Sequence, residues 1–87
     1  MGLKPRDNKS FYFLASYSLS HSSWGEHDDM LNAIVHSIAG TSTSAFGTGN
    51  DRRDLIWVIR GKERTEMCAK TIRNLNITGL KVKYERI

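Results

Sequence analysis

Histidines and carboxylates gather in one short span of this 87-residue chain: His21, Glu26, His27, Asp28 and Asp29. Imidazoles beside carboxylates can ligate a divalent metal or move protons in acid–base catalysis. Their spacing matches no zinc motif, and the single cysteine, Cys68, is remote in sequence. The carboxylates also fall where a helix begins, a position at which the helix dipole favours negative charge. No metal and no cofactor is therefore expected, and His21 is the one residue of the span left as a catalytic candidate. A second constellation, Gly47-Thr48-Gly49 followed by Arg52 and Arg53, has the residue types of a phosphate cradle. Phosphate loops lead into a helix N-terminus, however, and Gly-Thr-Gly-Asn-Asp reads as a hairpin connection instead. Arg52 and Arg53, together with Arg60, then make the flanks of the following strand basic.

The elements that must position these residues follow from periodicity. Phe11, Phe13, Ala15, Tyr17 and Leu19 alternate with Tyr12, Leu14, Ser16, Ser18 and Ser20, a period of two that predicts a strand, β1, over 10–20 with its odd residues toward a core. Ser23 and Glu26 fit a capping box, Leu31, Ile34, Val35 and Ile38 recur at helical spacing, and Gly40 supplies a stop, so helix α1 is expected over 24–39. The Thr- and Ser-rich stretch 41–48, with Phe46 as its large anchor, reads as an exposed edge strand, β2. The continuous apolar run 54–60 reads as a central strand, β3. Cys68, Ile72 and Leu75 form the inner stripe of a second helix, α2, over 61–75. Leu80, Val82 and Tyr84 alternate with Lys81, Lys83 and Glu85 in a last strand, β4, over 80–85.

The order βαββαβ predicts an α+β, ferredoxin-like fold: a four-stranded antiparallel sheet with two helices on one face, β1 and β3 at its centre and β2 and β4 at its edges. Residues 1–9 are read as a flexible basic arm and 10–87 as a single domain. One sheet face is then left open, and function should reside there. Tyr12 and Leu14 point outward from β1. On β3 the expectation is that Trp57 also points outward, with the compact β-branched Ile56 and Val58 beneath the helices. Lys81 and Lys83 line the same face.

Aromatic rings on central strands flanked by lysines can stack on bases and neutralise phosphates, a recipe for single-stranded RNA or DNA. The same apolar face is equally what a homodimer or a larger protein partner would cover. The favoured reading is a small non-enzymatic binding or regulatory module, of the kind common in bacteria and their phages, acting through Tyr12, Leu14, Trp57, Lys81 and Lys83 with Arg52, Arg53 and Arg60 nearby. Nucleic-acid binding is the alternative. In size and element order the chain is also similar to the small ferredoxin-like ribonucleases of toxin–antitoxin and CRISPR systems. That resemblance implies metal-assisted RNA cleavage by an aspartate at the end of β1. The stretch here reads Ser18-Leu19-Ser20-His21 and holds no carboxylate, which leaves His21 and its serine-rich loop for a metal-independent cleavage. The element order resembles an RNA-recognition motif too, but 54–60 lacks that motif's Arg-Gly-aromatic signature.

Composition sets the frame. A hydrophobic fraction of 39% and a charged fraction of 25% are those of a folded chain, and the formal charge of +4 favours anionic partners. One cysteine forms no internal disulfide, which fits a reduced, cytoplasmic setting. The basic opening is followed by a short, serine-interrupted apolar run that makes no signal peptide, and no stretch is long enough to cross a membrane.

Overall fold

The computed structural model describes residues 9–19 and 24–87. The expected arm, apart from Lys9, lies outside the described residues, as do His21 and the Ser23 half of the capping box. The elements run β1 Ser10–Ser18, α1 Trp24–Ala39, β2 Ala45–Gly49, β3 Arg52–Arg60, α2 Lys62–Arg73 and β4 Lys81–Arg86. They form one four-stranded antiparallel sheet in the order β2-β3-β1-β4, so β1 and β3 are central and β2 and β4 are the edges.

The register decides which side chains meet the helices. Phe11 stands opposite Ile59, Phe13 opposite Trp57, Ala15 opposite Leu55 and Tyr17 opposite Arg53, while Phe13 also faces Tyr84 and Ala15 faces Val82 on β4. These odd-numbered residues of β1 and β3 share one face with Leu31 and Val35 of α1 and Cys68, Ala69 and Ile72 of α2, and nearly all of them are fully buried. Ile34, Ile38 and Leu75 of the expected core pack against its margin, half-buried. The placement of Trp57 outward, and of Ile56 and Val58 beneath the helices, is therefore corrected. Trp57 is completely buried, whereas Val58 is 37% exposed and Ile56 half-buried on the opposite face. The larger side chain removes more apolar surface from water, and its indole N–H finds the partner that burial demands, Asn32 Oδ1 at 3.1 Å.

Two local features set the strand geometry. Asn50 and Asp51 both have positive φ, 51° and 59°, and Gly49 pairs with Arg52, which defines a two-residue hairpin whose twist matches the strands it joins. The Gly47–Gly49 stretch is thus strand leading into a turn, not a cradle. Gly61, at φ 101°, joins β3 to α2 in a conformation open to glycine, and its carbonyl accepts from both the Thr65 N–H at 3.1 Å and the Thr65 hydroxyl at 2.9 Å. Gly61 in turn donates its N–H to Lys9 at 2.8 Å, tying the start of β1 to the start of α2.

Cys68 is buried in α2, and desolvation pushes its thiol up to about 11 from an ordinary 9.0. Only the thiolate alkylates, so at pH 8 ionisation alone should slow its modification about 100-fold relative to the unfolded chain. Between pH 9 and 11 the unfolded state releases this proton and the folded state keeps it. The unfolded state then binds fewer protons, and stability should fall as pH rises through that window. Denaturant titrations at pH 8 and pH 10 check this, with Cys68→Ala expected to flatten the slope.

Candidate interaction surface

The even-numbered residues of β1 and β3 form the face that the helices leave open. Tyr12 pairs with Val58, and Leu14 with Ile56, so four apolar side chains lie in adjacent rows across the two central strands. Tyr12 is 48% exposed. On one flank Glu85 stands beside Tyr12 and Lys83 beside Leu14; on the other, Ala45 stands beside Ile56. These residues line a shallow apolar hollow of about 420 Å³. Apolar side chains gathered into a concave patch on a soluble surface are the usual mark of a binding site, because leaving them in water gains nothing for the fold.

The remaining residues singled out from sequence fall into two groups. Arg60, Lys81 and Lys83 are exposed at the margins of the open face. Arg52 is half-buried and already engaged: its Nε donates to Ser16 Oγ at 3.0 Å and its guanidinium to the Gly79 carbonyl at 2.6 Å. Arg53 is corrected from a surface cation to an interior one. It lies on the helix-facing side, its side chain 10% exposed, and pairs with Asp28 at 2.8 Å. Its guanidinium also donates to Thr48 Oγ1 at 2.9 Å and covers the ring of Phe46, 4.8 Å from the centroid. Phe46, the large residue of the exposed edge strand, is 70% exposed and held from above by a cation.

Asp28, one of the carboxylates considered for metal binding or acid–base work, is the hub of this knot. It accepts from Arg53 and, at 2.5 Å, from the Tyr17 hydroxyl. Burial first, and the Asp28 carboxylate second, push the Tyr17 phenol well above its usual range, so it serves as a fixed donor. His27 meets the Tyr17 ring edge-on with centroids 5.1 Å apart, a half-buried packing residue whose Nδ1 finds no hydrogen-bond partner among the described residues. Asn32 follows Leu31 on α1 and is half-buried. It bridges the layers: its Oδ1 accepts from Trp57 and from Thr43, and its Nδ2 donates to the Asp28 carbonyl at 3.1 Å. Among the described residues no cluster of three His, Cys, Asp or Glu side chains could hold a metal ion.

Sequence reasoning missed Ile56 and Val58 as open-face residues and Asp28 and Asn32 as structural partners. A usable signal existed. A buried Trp needs a partner for its N–H, and Asn32 is the polar residue next to Leu31 on the inner stripe of α1.

No family model matches the chain, and no curated protein or solved structure matches it. The class is therefore defined by geometry: a small α+β protein in which two helices cover one side of a sheet and an apolar patch occupies the other. Among the described residues no helix is long and apolar enough to cross a membrane.

Proposed function

We propose that this chain is a non-enzymatic protein-binding module of ferredoxin-like type, a single domain over 10–87 working in the cytoplasm, and that it binds through the open face of its sheet. The observation that carries this reading is the concave apolar patch of Tyr12, Leu14, Ile56 and Val58 on the two central strands. Support for the fold assignment is the order βαββαβ together with a sheet in which the first and third strands are central. Asp28, one of the carboxylates of the histidine- and carboxylate-rich span, is engaged by an ion pair and a tyrosine hydroxyl, which supports a structural role for it.

A second reading, binding of single-stranded nucleic acid, is favoured by one observation: Arg60, Lys81 and Lys83 are exposed on the same face as Tyr12. With Trp57 turned inward, Tyr12 is the ring projecting from a central strand, and one stacked base supplies only about 1–3 kcal/mol.

The test is a pair of variants. Val58→Asp places a charge on an already exposed position, so it should melt within about 1 kcal/mol of the parent and lose the bound protein in co-purification from the native host. Lys81→Ala with Lys83→Ala should leave that complex intact. If instead the lysine pair abolishes binding, and binding weakens with salt by about one logarithmic unit of slope per phosphate contact, nucleic acid is the ligand.

A further inference from the structure

The two edges of the sheet are treated differently. The β4 edge, Lys81–Arg86, reads Lys-Val-Lys-Tyr-Glu-Arg, and its charges guard it against pairing with another strand. The β2 edge, Ala45–Gly49, reads Ala-Phe-Gly-Thr-Gly with every residue exposed, and the whole stretch from Gly40 to Asn50 carries no charge. On a chain of net charge +4, this is where a second copy can approach without repulsion.

The geometry of β2 is also self-complementary. The Gly49–Arg52 pair closes a two-residue hairpin and is therefore a hydrogen-bonded pair. By alternation, Ala45, Gly47 and Gly49 direct their N–H and C=O groups toward β3, and Phe46 and Thr48 direct theirs toward the open edge. In an antiparallel pair of β2 strands centred on Gly47, Phe46 of each copy stands opposite Thr48 of the other, and each exchanges both backbone bonds. The residue on the two-fold axis is then Gly47, which has no side chain to obstruct the approach and around which an added Cβ would meet nothing within 4 Å. The side chains of the same two residues are fixed on the helix side by Arg53, through its bond to Thr48 Oγ1 and its position over the Phe46 ring. The edge is thus ordered before any partner arrives, which lowers the entropic cost of pairing.

From this we infer that β2 is a self-association edge: two copies pair β2 to β2, antiparallel about Gly47, into one continuous eight-stranded sheet. This edge adjoins the open-face patch at Ala45 but pairs through backbone groups and not through the apolar hollow, and it goes beyond the reading given above.

Sedimentation of the full chain over a range of concentrations, with five variants, tests it. The parent should reach twice the 9.9 kDa of one chain. Gly47→Lys puts two ammonium groups together on the axis and should give a monomer that melts as a folded protein. Gly47→Cys should form a disulfide-linked dimer on mild oxidation, because facing residues of a non-hydrogen-bonded pair lie about 4.5 Å apart at Cα, within disulfide range. Ala45→Cys and Gly49→Cys each face the other position across the axis, so neither alone should cross-link. Cys68 is buried and takes no part. A parent that stays monomeric at every concentration overturns the inference, as does a dimer that survives Gly47→Lys, or equal cross-linking at all three positions. A dimer lost in Val58→Asp but kept in Gly47→Lys would place self-association on the open face, overturning the edge and leaving the open-face reading intact.

Discussion

Trp57→Ala should cost about 3–5 kcal/mol of folding stability, whereas Val58→Ala next to it should cost less than about 1 kcal/mol. The difference follows from parity. Trp57 is fully buried, with the Phe13 ring 5.9 Å away centroid to centroid, and its N–H is held by Asn32. Truncation removes the largest buried side chain of the core and leaves a cavity that α1 and the sheet cannot close without moving. Against a typical total of about 5–15 kcal/mol, such a loss approaches global unfolding and should lower the melting temperature by roughly 15–30 °C. Val58 loses only the contacts of a half-solvated face. Urea denaturation of the two variants measures both values; the reverse ranking would mean that the sheet presents its other side to the helices.

The second large effect is expected at Asp28. Asp28→Ala should destabilise by about 3–5 kcal/mol, because it strands the Arg53 guanidinium in a site where its side chain is 10% exposed and removes the acceptor of the Tyr17 hydroxyl. The cost comes from breaking the pair more than from losing attraction. Asp28→Leu combined with Arg53→Leu should therefore be less damaging than the two single changes added together, with a coupling of about 1–3 kcal/mol. Since Arg53 also holds Thr48 and Phe46, amide exchange across Ala45–Gly49 should quicken in Asp28→Ala beyond what global destabilisation explains. Urea denaturation of Asp28→Ala, the two leucine single variants and their double, with hydrogen exchange, reads these outcomes. Additive losses would leave Arg53 and Asp28 as independent neighbours.

How legible the fold was in sequence varied with the kind of signal. β1 alternates between apolar and mixed residues, and the face of Phe11, Phe13, Ala15 and Tyr17 was readable because period two is a direct consequence of strand geometry. The α1 stripe was equally clear, and the turn at Asn50-Asp51 was announced by residues that tolerate positive φ. β3 was not legible in the same way. Leu55 to Ile59 is apolar at every position, so periodicity carries no phase, and a preference for β-branched residues beneath helices gave the wrong one. Register against β1 fixes the phase, and register is a long-range property. Asp28 and Arg53 were hidden for a related reason. Each has a sufficient local explanation, helix-start charge in one case and basic flank in the other, and only the packing of α1 on the sheet brings them together. The open face itself was anticipated, but its composition changed from a tryptophan-centred platform to an aliphatic hollow with one tyrosine.

The most direct measurement is hydroxyl-radical footprinting of the chain recovered from its native host with its bound protein, compared with the same chain refolded alone. The expected result is that Tyr12 and Val58 are oxidised in the isolated chain and protected in the complex, while Trp57 stays unreactive in both. Equal oxidation of Tyr12 and Val58 in the two samples would contradict the assignment of binding to the open face.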